Sequence, residues 1–150
     1  MKHDKLVKKK SVGFILQSDQ IGRKKLLVYS NVPGVLFRLP GGNIDPNETI
    51  EEALYREILE ESGLTNLILV RELGVQQYYK VFIDSIVERH DFLLMTNGDL
   101  PHKWEFIGSG DGEDQETLFK YQWINNDQIH LIDEEYRRDI TKTYIREFFS

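Results

Sequence analysis

The sequence contains no cysteine. Disulfides, thiolate metal sites and cysteine nucleophiles are thereby excluded. It also lacks any apolar run approaching the roughly 18 residues that a membrane helix needs, so no membrane is expected as a partner. Residues 1–10 are basic, but no apolar segment follows them, and no secretion signal is apparent. These absences fit a cytoplasmic protein. What is present is ordinary for a soluble globular chain: 150 residues, 40% apolar and 29% charged. Such a length suits one domain, able to bury about two-thirds of the surface its unfolded chain exposes.

Charge is unevenly placed. The net value is −6, yet five lysines against Asp4 make the first ten residues +4, leaving −10 for the other 140. Residues 48–61 hold six Glu and one Arg, and residues 111–116 hold Asp111, Glu113, Asp114 and Glu116. Nearly all the excess negative charge thus lies in two short clusters. Binding to a nucleic-acid duplex is disfavoured, because a phosphate backbone demands basic surface. An acidic cluster is either a solvated face or a site for a hard cation.

The pattern predicts a mobile basic tail over residues 1–10 and one domain over 11–150. Residues 11–17 and 25–29 read as strands of a hairpin, and 35–39 as a short extended run stopped by Pro40-Gly41-Gly42. Residues 48–62 read as a helix, with Asn47 as its N-cap and Gly63 ending it. Residues 66–80 and 86–96 follow as longer strands, 97–115 as a loop and 117–124 as a further strand. Residues 133–149 place Tyr136, Ile140, Tyr144, Ile145 and Phe148 at helical spacing, which predicts a second helix. Strands around an internal helix, closed by another helix, suggest an α/β or α+β sandwich on one mixed sheet.

The first helix carries its acids on an unexpected side. At 3.6 residues per turn, Glu57, Glu60 and Glu61 continue the face begun by Ile50, Ala53 and Leu54. Three inward carboxylates repel one another and lose hydration. Compensation can come from Arg56, four residues from both Glu52 and Glu60, or from a bound divalent cation. Oxygen ligands with no His or Cys nearby favour Mg²⁺ or Mn²⁺. Gly41 and Gly42 just before the helix allow backbone to approach a ligand closely.

Gly42 to Leu64 reads GNIDPNETIEEALYREILEESGL. This resembles the Nudix box, G-x5-E-x7-R-E-U-x-E-E-x-G-U with U bulky and apolar, and Gly42, Glu48, Arg56, Glu57, Ile58, Glu60, Glu61, Gly63 and Leu64 all match. The approach Phe37-Arg38-Leu39-Pro40-Gly41-Gly42 is similar to the family's usual entry, with Phe37 where Trp is common. The resemblance implies an α/β/α sandwich with a central mixed sheet. It implies metal-dependent hydrolysis at the pyrophosphate bond of a nucleoside diphosphate linked to another moiety. By match to the box, Glu57 and Glu61 are metal ligands, Glu60 is a third ligand or the base, and the Gly41 carbonyl completes the shell. Arg56 orients the acids, paired with Glu48. Many relatives place the base on a loop before a late strand; Glu116 is the choice here and Glu60 the competitor.

The substrate is expected to be a nucleotide-type small molecule, with a monomer or homodimer as the functional unit. Residues 65–100 lack the Pro expected of the ADP-sugar subclass. Tyr79, sixteen residues after Gly63, suits the diadenosine-polyphosphate subclass. A nucleoside triphosphate or dinucleoside polyphosphate is therefore favoured. Arg38 and Lys80 are candidates to meet phosphate; Tyr78, Tyr79, Phe82 and Trp104 are candidates to stack on a base. His3, His90, His102 and His130 show no ligand spacing. Two rival classes exist. An isopentenyl-diphosphate isomerase on the same fold is disfavoured because it is expected to use a cysteine. A nucleotide-sensing module without catalysis would be expected to carry a broken box.

Overall fold

The computed structural model describes residues 6–96, 100–108 and 116–150. Seven strands form one mixed sheet: β1 (Leu6–Ser18), β2 (Lys24–Ser30), β3 (Gly41–Asn43), β4 (Leu67–Lys80), β5 (Ser85–Thr96), β6 (Lys103–Ile107) and β7 (Leu118–Ile124). Their order is β4-β5-β1-β2-β7-β6, with β3 pairing to β1. Only β1 and β5 run parallel among the pairs described; the others are antiparallel. The α-helices among the described residues are α1 (Ile50–Ser62) and the short α2 (Glu134–Arg137).

Both faces of the central strands are covered, which explains their near-continuous apolar sequence. Ile15, Leu27 and Phe92 pack with Leu54 and Ile58 of α1. Phe14, Leu16, Leu26 and Val28 point the other way and pack with Tyr136, Ile140, Ile145 and Phe148. β1 serves two partners on one edge: Leu16–Ser18 pair with β2, whereas Lys10–Val12 pair with β3. The sheet is therefore split beside Gly41 and Gly42, and α1 lies over that split.

Four expectations are corrected. The basic tail does not extend to Lys10, because residues 6–10 belong to β1 and pair with residues 85–89 of β5. A run of lysines hides a strand whose side chains reach acids, such as Lys9 to Glu88 at 4.0 Å. The loop at 97–115 contains β6, held where Trp104 stacks on Tyr121 at 5.0 Å. Helix α1 starts at Ile50 rather than Glu48, and its N-cap is Thr49 rather than Asn47. The hydroxyl of Thr49 accepts from the Glu52 amide at 3.1 Å, and the Glu52 carboxylate accepts from the Thr49 amide at 2.8 Å, so two end donors are satisfied reciprocally. Gly63 ends the helix as expected, at φ +79°.

The fourth correction concerns residues 133–149, which do not form one helix. Four helical residues are followed by turns and a 3₁₀ segment at Arg146–Phe149. The buried Arg89 guanidinium donates to the Glu135 carbonyl at 2.6 Å and to the Asp139 carboxylate at 2.7 Å. A side chain from the sheet thus takes the carbonyl that helix continuation would use, and the Asp139 amide turns back to Tyr136. The apolar residues read from helical spacing are buried all the same, with Tyr144 half-buried.

Candidate active site

Helix α1 is fixed to the sheet at both ends. Ser11 on β1 donates its hydroxyl to the Ile50 carbonyl at 2.7 Å, and Tyr121 on β7 donates to the Glu61 carbonyl at 3.0 Å. This rotation brings Ala53, Leu54, Ile58 and Glu61 inside together, with Glu61 only 7% exposed. Glu57 and Glu60 are half-buried beside it. The acids thus lie on the face that the helical spacing predicts.

Gly42 is required by this closeness. A Cβ there would stand 2.4 Å from the carboxyl carbon of Glu57. Gly41 has φ +148°, and a Cβ on it would stand 2.2 Å from the Ser11 carbonyl oxygen. The glycine pair therefore lets β3 lie between β1 and the acid-bearing helix.

Arg56 gathers the surrounding acids. It donates to both Glu48 oxygens, one at 2.8 Å, and to Glu57 at 3.1 Å, Glu60 at 3.2 Å and the Asn43 carbonyl at 3.0 Å. The pairing with Glu48 agrees with the sequence expectation. Its hydrogen bonds to Arg56 hold the Glu48 carboxyl below the usual range. Among the described residues, no three carboxylate or imidazole groups converge closely enough to hold a metal ion as they stand. The donor set nevertheless suits a hard divalent cation: all oxygen, anionic, on one helix edge, with no Cys and no His among them.

On the other side of the split lies a second polar cluster, centred on Glu135 of α2. Its carboxylate accepts from Lys80 at 2.9 Å, Arg38 at 3.1 Å and the Tyr78 hydroxyl, and faces Lys10 at 4.0 Å. Burial works to raise the Glu135 carboxyl, but Lys10, Tyr78, Lys80 and Arg38 outweigh it and hold it at about 2. Above this cluster opens a cavity of about 750 Å³. Arg38 and Lys80, the phosphate candidates, line it with Tyr78, Tyr79 and Phe82 of the stacking candidates, whereas Trp104 stacks on Tyr121 instead. The Tyr79 hydroxyl bonds to Asp84.

Glu116 precedes β7 with φ +68°, is exposed, and donates its amide to the Gly108 carbonyl at 3.1 Å. Register puts it beyond the Lys120–Ser30 pair, at the sheet end that also carries β3. Glu113 and Asp114 lie outside the described residues. Sequence reasoning missed Glu135, Lys10 and Arg89. For Lys10 a signal existed: it stands in alternation with Val12, Phe14 and Leu16, which are all buried on one face.

The sequence model of the NUDIX domain matches residues 7–144. The chain belongs to the Nudix family. It is 25% identical, over 93% of its length and 91% of the relative's, to "RNA pyrophosphohydrolase" of Bartonella bacilliformis. It is 42% identical over 85 residues to "Putative 8-oxo-dGTP diphosphatase" of Bacillus subtilis, and that match spans about half of each protein, 57% and 52%. The fold is similar to that of the C. elegans Ap4A hydrolase, with TM-score 0.67, 18% identity and coverage of 96% and 97%. A MutT protein from Methanosarcina mazei gives TM-score 0.63 at 18% identity, covering 97% and 96%. The α/β sandwich on a mixed sheet thus agrees with the expected Nudix architecture, and no described helix is long and apolar enough to cross a membrane.

Proposed function

We propose that this Nudix protein is a divalent-metal-dependent pyrophosphohydrolase acting on a nucleoside triphosphate or dinucleoside polyphosphate. The observation that carries the reading is the inward acid edge of α1, with Glu61 buried and Glu57 packed against a glycine whose Cβ would collide with its carboxylate. A solvated acidic helix would not need either feature. Glu57, Glu61, Glu60 and the Gly41 carbonyl would hold Mg²⁺ or Mn²⁺. Such an ion neutralises phosphate charge and lowers the pKa of coordinated water.

The remaining roles fall to the chain itself. Arg56 is a positioning residue: its guanidinium sets the rotamers of Glu57 and Glu60 while Glu48 holds it from behind. Glu116 accepts the proton of the attacking water from the start of β7, with Glu60 the alternative acceptor. Arg38 and Tyr79 hold the non-reacting part of the substrate in the cavity they share. The names of the Bartonella and Bacillus proteins, a pyrophosphohydrolase and a diphosphatase, and of the C. elegans Ap4A hydrolase support this class. The unit is proposed to act in the cytoplasm as a monomer or homodimer.

The test is release of phosphate or pyrophosphate with Mg²⁺ or Mn²⁺ over a panel of nucleoside triphosphates, dinucleoside polyphosphates and ADP-sugars. Turnover of the first two classes above the third is expected. No turnover of any of them would defeat the proposal.

A further inference from the structure

The acids of α1 stand at the end of the helix that is hardest to hold. Glu57, Glu60 and Glu61 fall in its last two turns, and no basic residue lies in the last one. The negative end of the helix dipole therefore meets negative side chains. The final carbonyls of a helix also lack partners within it, so this end frays unless donors reach it from outside. Here the β6–β7 hairpin supplies them. The Tyr121 hydroxyl on β7 donates to the Glu61 carbonyl at 3.0 Å, and the Trp104 indole on β6 donates to the Ser62 carbonyl at 3.4 Å. Phe106 of β6 packs where the helix ends; a Cβ on Gly63 would stand 2.7 Å from its ring.

Of these residues, Tyr121 bears most directly on the acids. It is 1% exposed, and its ring lies nearly parallel to that of Trp104, at 13°. A phenylalanine would fill the same space without the cost of burying a hydroxyl. Phe119 and Phe106 do so in the same apolar cluster. The Tyr121 hydroxyl instead meets the main chain of Glu61, the most deeply buried acid of the edge.

We propose that Tyr121 is a positioning residue for the metal-binding edge: its hydroxyl fixes the last turn of α1 and so holds the Glu61 carboxylate in place before a cation arrives. The proposal rests on the metal-dependent part of the pyrophosphohydrolase reading, and it names a residue outside the Nudix box. Without the hydroxyl, the Glu61 carbonyl loses its buried donor, and the turn loosens to find water. An ion then binds only the fraction of molecules in which the turn is formed, and its apparent affinity falls by that fraction.

The experiment measures calorimetric binding of Mn²⁺ to the full chain without nucleotide, together with melting temperature. Wild type, Tyr121→Phe, Trp104→Phe and Thr49→Ala are compared, and the binding counted is that which Glu57→Gln abolishes. Thr49 caps the opposite end of α1, so Thr49→Ala loosens the same helix away from the acids. Tyr121→Phe is expected to weaken Mn²⁺ binding about tenfold, in line with loss of one buried hydrogen bond. Thr49→Ala should stay within about twofold in affinity while melting about 3 °C lower. A merely structural tyrosine would lower the melting temperature and leave the affinity alone. Trp104→Phe removes the donor to Ser62, carries the test should Tyr121→Phe not fold, and is expected to weaken Mn²⁺ about threefold, its hydrogen bond being longer. No Glu57-dependent Mn²⁺ binding by wild type, unchanged affinity in Tyr121→Phe, or equal weakening by Tyr121→Phe and Thr49→Ala would overturn the proposal. The two readings fail separately: Tyr121-dependent Mn²⁺ binding with no nucleotide hydrolysis would sink the enzymatic reading and leave this role standing.

Discussion

A single methyl group at position 42 would collide with the Glu57 carboxylate at 2.4 Å. The neighbour it meets is the end of a side chain, so Glu57 can swing away and the fold can survive. Gly42→Ala is therefore expected to lower turnover by about 10²-fold, the cost of an angstrom-scale displacement of a reacting group, with little change in melting temperature. Normal activity in that variant would show that Glu57 is not needed where it stands. Glu57→Gln and Glu61→Gln each remove one carboxylate charge from a crowded inward edge. Both are expected to lose orders of magnitude in rate while melting no earlier than wild type without metal, since like-charge repulsion is relieved. Full activity in either would remove that residue from the metal site. The base is tested in the same way. Glu116→Gln should cost about 10²–10⁴-fold in maximal rate, as loss of a general base does, with metal dependence unchanged. A silent Glu116→Gln beside a slow Glu60→Gln would transfer the role to Glu60.

At the scale of elements, α1 is held by its ends as much as by its packing. Thr49→Ala removes the acceptor for the Glu52 amide, and a lost N-cap costs about 1 kcal/mol. For a domain of this length that is a fall of about 3 °C in melting temperature, while Asn47→Ala should change nothing measurable. The reverse order would restore the cap read from sequence. Why α1 was legible, and the last helix was not, is physical. Helix α1 has no Gly or Pro inside it, its end is a left-handed glycine, and its apolar and acidic positions share one face. These signals are local. The chain after Arg137 carries equally good apolar spacing, but its backbone is captured by Arg89, about fifty residues away in sequence, and no local pattern reports that. β6 escaped for a related reason: its partner is β7 across a Gly-rich segment, and its outer positions mix Lys103 and Glu105 with an exposed Ile107. The acid edge was legible because it lies within one helix. The Glu135 cluster was not, because it assembles β1, β4, α2 and the Arg38 segment.

For the whole molecule, that cluster ties its parts together, and acid should loosen it. The Glu135 carboxyl is held at about 2 in the fold against an ordinary 4.5, despite burial, by Lys10, Tyr78, Lys80 and Arg38. A carboxyl with a depressed folded pKa contributes stability that is fully present above its unfolded value and is lost as pH falls through the folded one. The window here is therefore pH 4.5 down to about 2. The contribution is on the order of 2–3 kcal/mol. Asp91, whose carboxyl burial raises although Arg89 and Tyr144 oppose it, acts in the opposite sense and is common to wild type and variant. The difference between wild type and Glu135→Gln thus isolates Glu135. Urea unfolding of both proteins from pH 7 to pH 2.5 should show the variant weaker by about 2–3 kcal/mol at neutral pH, with the gap closing below pH 4.5. A gap that stays constant across that range would mean that Glu135 supports the fold through shape and hydrogen bonding alone. Its charge would then not be what joins the N-terminal strand, the cavity wall and the C-terminal segment.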